Sequence, residues 1–141
     1  MKSTLHKFNR KFGRRVYDRF SIPGATVLWK PLDQASFPEE TLPLSDISRF
    51  GLSLLTNTPP QVNSVISLRV NLPKEPERLD LLGKVVYAIF RGPGLTYGYR
   101  VGIQLKPFSE TEGDNPPELQ QKIHELEQIY GKKLNNMDIE D

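Results

Sequence analysis

Between Val65 and Leu72 the chain alternates. Ile66, Leu68, Val70 and Leu72 are apolar, and Ser67, Arg69 and Asn71 between them are polar. A period of two is the pattern of a β-strand with one buried face. Tyr97 to Leu105 repeats it, with Tyr97, Tyr99, Val101, Ile103 and Leu105 inward and Gly98, Arg100, Gly102 and Gln104 outward. Leu79 to Arg91 reads as a longer strand with a bulge at Gly83. Ala25 to Lys30 and Phe50 to Thr56 are shorter runs in which apolar and β-branched residues dominate. Turn signals at Ser21–Gly24, Pro73–Arg78 and Gly92–Gly94 separate these runs, and Lys30–Pro43 and Asn57–Ser64 read as connections. No helical period interrupts the set, so the body is an all-β barrel or sandwich.

The period then changes. Leu119, Ile123, Leu126, Ile129 and Tyr130 recur at helical spacing and form one apolar stripe. Asn115-Pro116-Pro117-Glu118 predicts the helix start, with Asn115 as N-cap, proline at the first helical position and Glu118 closing a capping box. Gly131 is a natural stop. A helix of about 15 residues is marginal alone and must bury its stripe, here on the open end of the barrel.

The length of 141 residues suits a single domain with its own core. The longest apolar stretch, Val85 to Phe90, is six residues, far short of a membrane span. The charged beginning has no apolar h-region and does not read as a signal peptide. With no cysteine there is no disulfide framework or thiolate metal site, and the simplest expected location is the cytoplasm.

The net charge of +2 hides an uneven distribution. Residues 1–19 carry seven Lys and Arg against Asp18, a net of +6. Residues 110–141 carry nine acids against three lysines, a net of −6. A basic arm points to an anionic partner such as a nucleotide, a nucleic acid or a membrane surface. The acidic end argues against a broad nucleic-acid surface. Residues 1–13 read as a mobile basic arm that a ligand would order, 14–133 as the barrel with its helix, and 134–141 as a disordered acidic tail.

Two short polar motifs flank the strand Ala25–Lys30. The first is Arg15-Val16-Tyr17-Asp18-Arg19, an R-x-x-x-R. The second is Asp46-Ile47-Ser48-Arg49-Phe50-Gly51, a D-x-S-x-x-G. Arginine presents a planar fork of donors that matches a phosphate or the O6/N7 edge of guanine. The other guanine edge carries donors and wants an acceptor such as Asp46. Ser48 can donate or accept, and Gly51 allows close approach and positive φ. Alone, each motif is weak. Arg10 and Arg14 also make an R-x-x-x-R, so the first could be a solvated basic arm. The second could be a turn in which Asp46 and Ser48 bond their own backbone. In this order, around one strand, they favour a site.

This arrangement resembles the signature of PilZ domains, receptors for cyclic di-GMP, in a single-domain member. The resemblance covers roughly residues 13–107, with Gly83–Tyr87 and Tyr99–Ile103 similar to the family's later strands, and it extends into the helix. It implies a six-stranded antiparallel β-barrel with a C-terminal α-helix. It also implies that Arg15 and Arg19 grip phosphate and guanine, that Asp46 and Ser48 contact a guanine edge, and that Gly51 sits where the ligand lies against the barrel. Arg14, directly before the first motif, implies two intercalated nucleotides where an apolar residue would accompany one. The outward row Gly98, Arg100 and Gly102 forms a shelf with little bulk. It fits either a flat base resting there or simple barrel curvature.

The resemblance therefore implies a cyclic di-GMP receptor that changes conformation and relays the signal to an unidentified protein, with no cofactor beyond the nucleotide. An RNA- or single-strand-binding barrel would explain the basic arm but not the placement of Asp46, Ser48 and Gly51. A pure interaction protein of the same fold is disfavoured by intact motifs. Enzymatic chemistry is not expected. His6 and His124 neighbour no nucleophile arrangement, no cluster has metal spacing, and no phosphate-loop motif occurs. Trp29 reads as a core or barrel-rim residue.

Overall fold

The computed structural model describes residues 19–74 and 78–131. The arm of residues 1–13, Arg14, Arg15 and the tail of residues 134–141 lie outside the described residues. Six strands form a closed antiparallel barrel: β1 Thr26–Pro31, β2 Leu42–Ile47, β3 Gly51–Thr56, β4 Val65–Asn71, β5 Arg78–Phe90 and β6 Tyr99–Leu105. Around the wall they run β1-β2-β3-β6-β5-β4. Closure removes the exposed edges that an open sheet would leave. The expected alternation fills the interior. Ile66, Leu68 and Val70 of β4 and Val101, Ile103 and Leu105 of β6 join one buried cluster with Val27, Leu52, Leu54 and Val85.

β2 is a strand that hydrophobic periodicity does not reveal. Its inward residues are Leu44 and Ile47, three apart, because a bulge interrupts the register between Leu44 and Asp46. Pro43 at its start pairs with Thr26. A second bulge, in β5, falls between Val85 and Tyr87 and not at Gly83 as expected. Gly83 instead faces inward at a close approach, where an added Cβ would lie 2.5 Å from Ile103 Cγ2.

One helix follows, α1 Pro117–Leu126, continued by a π-helical turn over Glu127–Gly131. Ile123 and Leu126 are buried in the barrel cluster, whereas Ile129 is 55% exposed and stands outside the stripe. The helix sits at the end of the barrel where Phe20 packs near Gly131 and Arg49 pairs with Glu127 at 3.6 Å. Its start differs from the expected capping box. Pro116 occupies the N-cap position with no side-chain cap. Asn115, fully buried, accepts from the Leu82 amide at 2.7 Å and donates to the carbonyls of Leu82 and Lys106 at 3.0 and 2.9 Å. A buried amide that meets three backbone groups is worth more at this joint than as a cap. Asn115 thus pins the entrance of the helix to β5 and the segment after β6.

Candidate functional site

The bulge in β2 sets the direction of Asp46. Leu44 pairs with Leu54, and after the extra residue Asp46 pairs with Ser53 and Ile47 with Leu52. Ile47 turns into the core, with no exposed surface, and Asp46 turns to the outer wall. A bulge re-aims a side chain in this way without breaking the sheet. The bulge in β5 does the same for Tyr87, which pairs with Gly102 while Ala88 turns inward opposite Val101. Ser53 in turn pairs with Gly102. Asp46, Ser53, Gly102 and Tyr87 therefore lie in one row across four neighbouring strands, on the outside of the barrel.

Asp46 is the hub of this row. Its Oδ1 accepts from the Ser53 hydroxyl at 2.9 Å, and its Oδ2 accepts from Arg100 Nη2 at 3.1 Å. Arg19 Nη1 stands 3.9 Å from Oδ1. What brings Arg19 there is an isolated bridge: Phe20 and Ile47 exchange amide-to-carbonyl bonds at 3.0 and 2.9 Å. Phe20 is buried, so this anchor is apolar as well as hydrogen-bonded. The last arginine of the first motif and the aspartate of the second thus meet on one patch, with Arg100 beside them. The Asp46 carboxylate is 18% exposed, against 53% for Arg19 and 41% for Arg100. A half-sunk acceptor between two open guanidinium groups suits an anionic ligand that also carries N–H donors.

Ser48 and Gly51 serve the turn. The buried Ser48 hydroxyl accepts from the amides of Phe50 and Gly51 at 3.1 and 3.3 Å, and the Ser48 amide donates to the Gly51 carbonyl at 2.8 Å. A Cβ on Gly51 would fall 2.4 Å from the carbonyl oxygen of Ile103, so the missing side chain lets β3 lie against β6. At Gly102 the anticipated bare shelf is covered. A Cβ there would be 2.0 Å from Cε2 of Tyr87, so the tyrosine ring lies on the glycine backbone. Gly98 lies outside β6, in the connection that precedes it, where its amide donates to the Asn57 side chain at 2.8 Å. At Gly51 and Gly102 the close packing leaves no room for a side chain. Arg14 and Arg15 fall outside the described residues. Among those residues no group of acids and histidines is placed to hold a metal ion, and no helix is long and apolar enough to cross a membrane.

No protein-family model and no curated protein sequence matches the chain. Solved structures do. The PilZ domain of YcgR from Escherichia coli with c-di-GMP superposes with a TM-score of 0.59 at 20% identity, covering 89% of this chain and 98% of that one. MotI/DgrA, an inhibitor of motility from Bacillus subtilis, gives 0.60 at 16% identity, covering 86% of this chain and 52% of that one. MrkH of K. pneumonia in its c-di-GMP complex gives 0.61 at 17%, covering 82% and 52%. The fold is that of a PilZ domain. The chain spans about half the length of MotI and MrkH.

Within the PilZ fold, Ser53 and Tyr87 join the row although neither lies in a motif. Ser53 had one available signal, a hydroxyl on the polar parity of an otherwise apolar strand. Tyr87 had none, because its side of the sheet depends on a bulge one residue earlier.

Proposed function

We propose that the chain is a receptor for cyclic di-GMP. The observation that carries this reading is the meeting of Arg19, Asp46 and Arg100 at one outward patch on a PilZ barrel, since the ligand needs donors for phosphates and an acceptor for guanine on the same surface. Asp46 takes the donor edge of a guanine, oriented by Ser53 and Arg100. Arg19, with Arg14 and Arg15 shortly before it in sequence, takes the phosphates and the O6/N7 edge. Ser48 and Gly51 hold the loop that presents Asp46, and Tyr87 and Gly102 form the wall beside it. That c-di-GMP is bound by the similar YcgR domain and MrkH supports the choice of nucleotide.

The signal follows from charge. A run of seven basic residues in 1–19 repels itself, and two phosphates offset that repulsion. Gathering the arm over the barrel costs about 1–2 kcal/mol per backbone residue fixed, which charge-assisted contacts supply. The surface offered to a downstream protein then differs between the free and bound states. Calorimetry with cyclic di-GMP, with single-stranded RNA as competitor, tests the reading. Saturable binding that RNA does not displace, and that Arg19→Ala strongly weakens, is the expected result. Displacement by RNA would make the chain a strand-binding barrel, and no binding would end the proposal.

A further inference from the structure

We propose that the mouth of the barrel opposite the helix is a pocket for an arginine side chain of a partner protein. It is separate from the nucleotide patch. All six strands turn at this mouth, and a cavity of about 300 Å³ opens there, lined by Trp29, Pro31, Glu40, Leu42, Thr56 and Tyr97, among others. That volume lies at the small end of ligand pockets and fits one long side chain.

The lining has the chemistry of a cation site. Trp29 packs partly on the core and is half-buried, which leaves part of the indole to the cavity. Tyr97 is clamped on both sides: Asn57 Nδ2 donates to the Thr96 carbonyl at 3.0 Å, and the Gly98 amide donates to Asn57 Oδ1 at 2.8 Å. Two positioned aromatics attract a cation through their ring faces. Glu40 is the one charged residue of the lining and makes no hydrogen bond or ion pair among the described residues. Two bases stand by the lining and both are engaged: Lys30 on the Gln34 carbonyl at 2.7 Å and over the Phe37 ring at 5.4 Å, and Arg91 Nη1 on the Tyr97 carbonyl at 2.8 Å.

Arginine fits better than lysine, because a planar guanidinium stacks on an aromatic face and still pairs with a carboxylate. Two exposed leucines close in sequence to lining residues favour a protein over a free cation. Leu32, next to Pro31, is 53% exposed, and Leu95, two residues before Tyr97, is 46% exposed. Exposed apolar residues next in sequence to the lining, beside a pocket that takes an arginine, fit a protein contact.

Trp29 is the sole tryptophan, so its fluorescence reads the site directly. The full chain is titrated with the capped peptide acetyl-Leu-Arg-Leu-amide, with the same peptide carrying citrulline, and with free arginine amide. The arginine peptide should change Trp29 emission saturably, and the citrulline peptide should bind roughly tenfold more weakly. Glu40→Gln and Tyr97→Leu, both confirmed folded by circular dichroism, should each weaken the arginine peptide roughly fivefold. Equal binding of the citrulline peptide, an unaltered titration in Glu40→Gln, or no response at millimolar peptide would each overturn the proposal. Free arginine amide binding as tightly as the peptide would also overturn it, by making the pocket a small-molecule site.

Discussion

Asp46 and Ser48 are two residues apart in one motif, yet they do different work. Asp46 points out of the barrel, between Arg19 and Arg100. Ser48 points in, 3% exposed, and its oxygen is used by the backbone of its own turn. Gly51 belongs with Ser48, since its bare backbone meets the Ile103 carbonyl. One half of the motif faces outward between two arginines, and the other half holds the turn beside it. A six-residue signature can therefore hold its residues for two physical reasons, which substitutions separate.

The largest effect belongs to the structural half. Gly51→Ala places a methyl 2.4 Å from backbone that cannot swing aside. It should cost about 3 kcal/mol of stability, at the upper end of overpacking penalties, seen as a lower urea midpoint. Gly102→Ala is the contrast. Its methyl meets the Tyr87 ring, a side chain able to rotate outward, so the urea midpoint should fall less. Equal losses would mean that Tyr87 is as fixed as the β3–β6 seam.

The recognition half comes next. Arg19→Ala and Asp46→Ala should each remove about 1–3 kcal/mol of cyclic di-GMP affinity by calorimetry. Arg19→Ala should leave the thermal midpoint almost unmoved, since a pair at 3.9 Å whose arginine is exposed contributes little to stability. Arg19→Lys should also lose affinity, because charge survives but the fork does not. Asp46→Ala should lose cyclic di-GMP more than cyclic di-AMP. An equal loss of both would make Asp46 a positioning residue for Arg100 only.

The contrast also explains what was legible from the sequence. Strands with an unbroken period of two, Val65–Asn71 and Tyr99–Leu105, stand where the alternation places them. β2 did not announce itself, because its bulge spaces Leu44 and Ile47 three apart. That same bulge aims Asp46, so the feature that hides the strand is the one that turns Asp46 to the outer patch. The pairing of Arg19 with Asp46 was legible only as two motifs in order. Nothing local says that Phe20 bridges to Ile47 and carries Arg19 alongside. Asn115 misled for a related reason: a good local cap was overridden by three backbone partners that only the folded barrel brings near.

Ser48→Ala sits between the two halves. It removes the oxygen that the amides of Phe50 and Gly51 share, at a cost of about 1 kcal/mol. Affinity should fall less than in Asp46→Ala, through a looser loop. If calorimetry gives Ser48→Ala the full loss of Asp46→Ala while stability holds, the hydroxyl touches the ligand itself and the division drawn above fails.

The smallest effect concerns how many nucleotides the patch takes. Arg14 directly precedes Arg15, so three arginines, Arg14, Arg15 and Arg19, fall within one short segment of the sequence. One cyclic di-GMP carries two phosphates and needs no third arginine. An intercalated pair brings four phosphates into a small volume, where a further guanidinium lowers their repulsion and its flat face can stack on a guanine. Wild type should therefore bind two nucleotides per chain, and Arg14→Leu should fall toward one while still binding. The same titration at raised salt sharpens the test, because repulsion between exposed charges is screened over about 10 Å at 0.1 M ionic strength. If electrostatic relief is the role of Arg14, salt should partly restore the second nucleotide in Arg14→Leu. If stacking is the role, salt should leave the variant at one, and Arg14→Trp should restore the pair where Arg14→Leu does not. A wild type that saturates at one nucleotide per chain would leave Arg14 as one more charge on a basic arm.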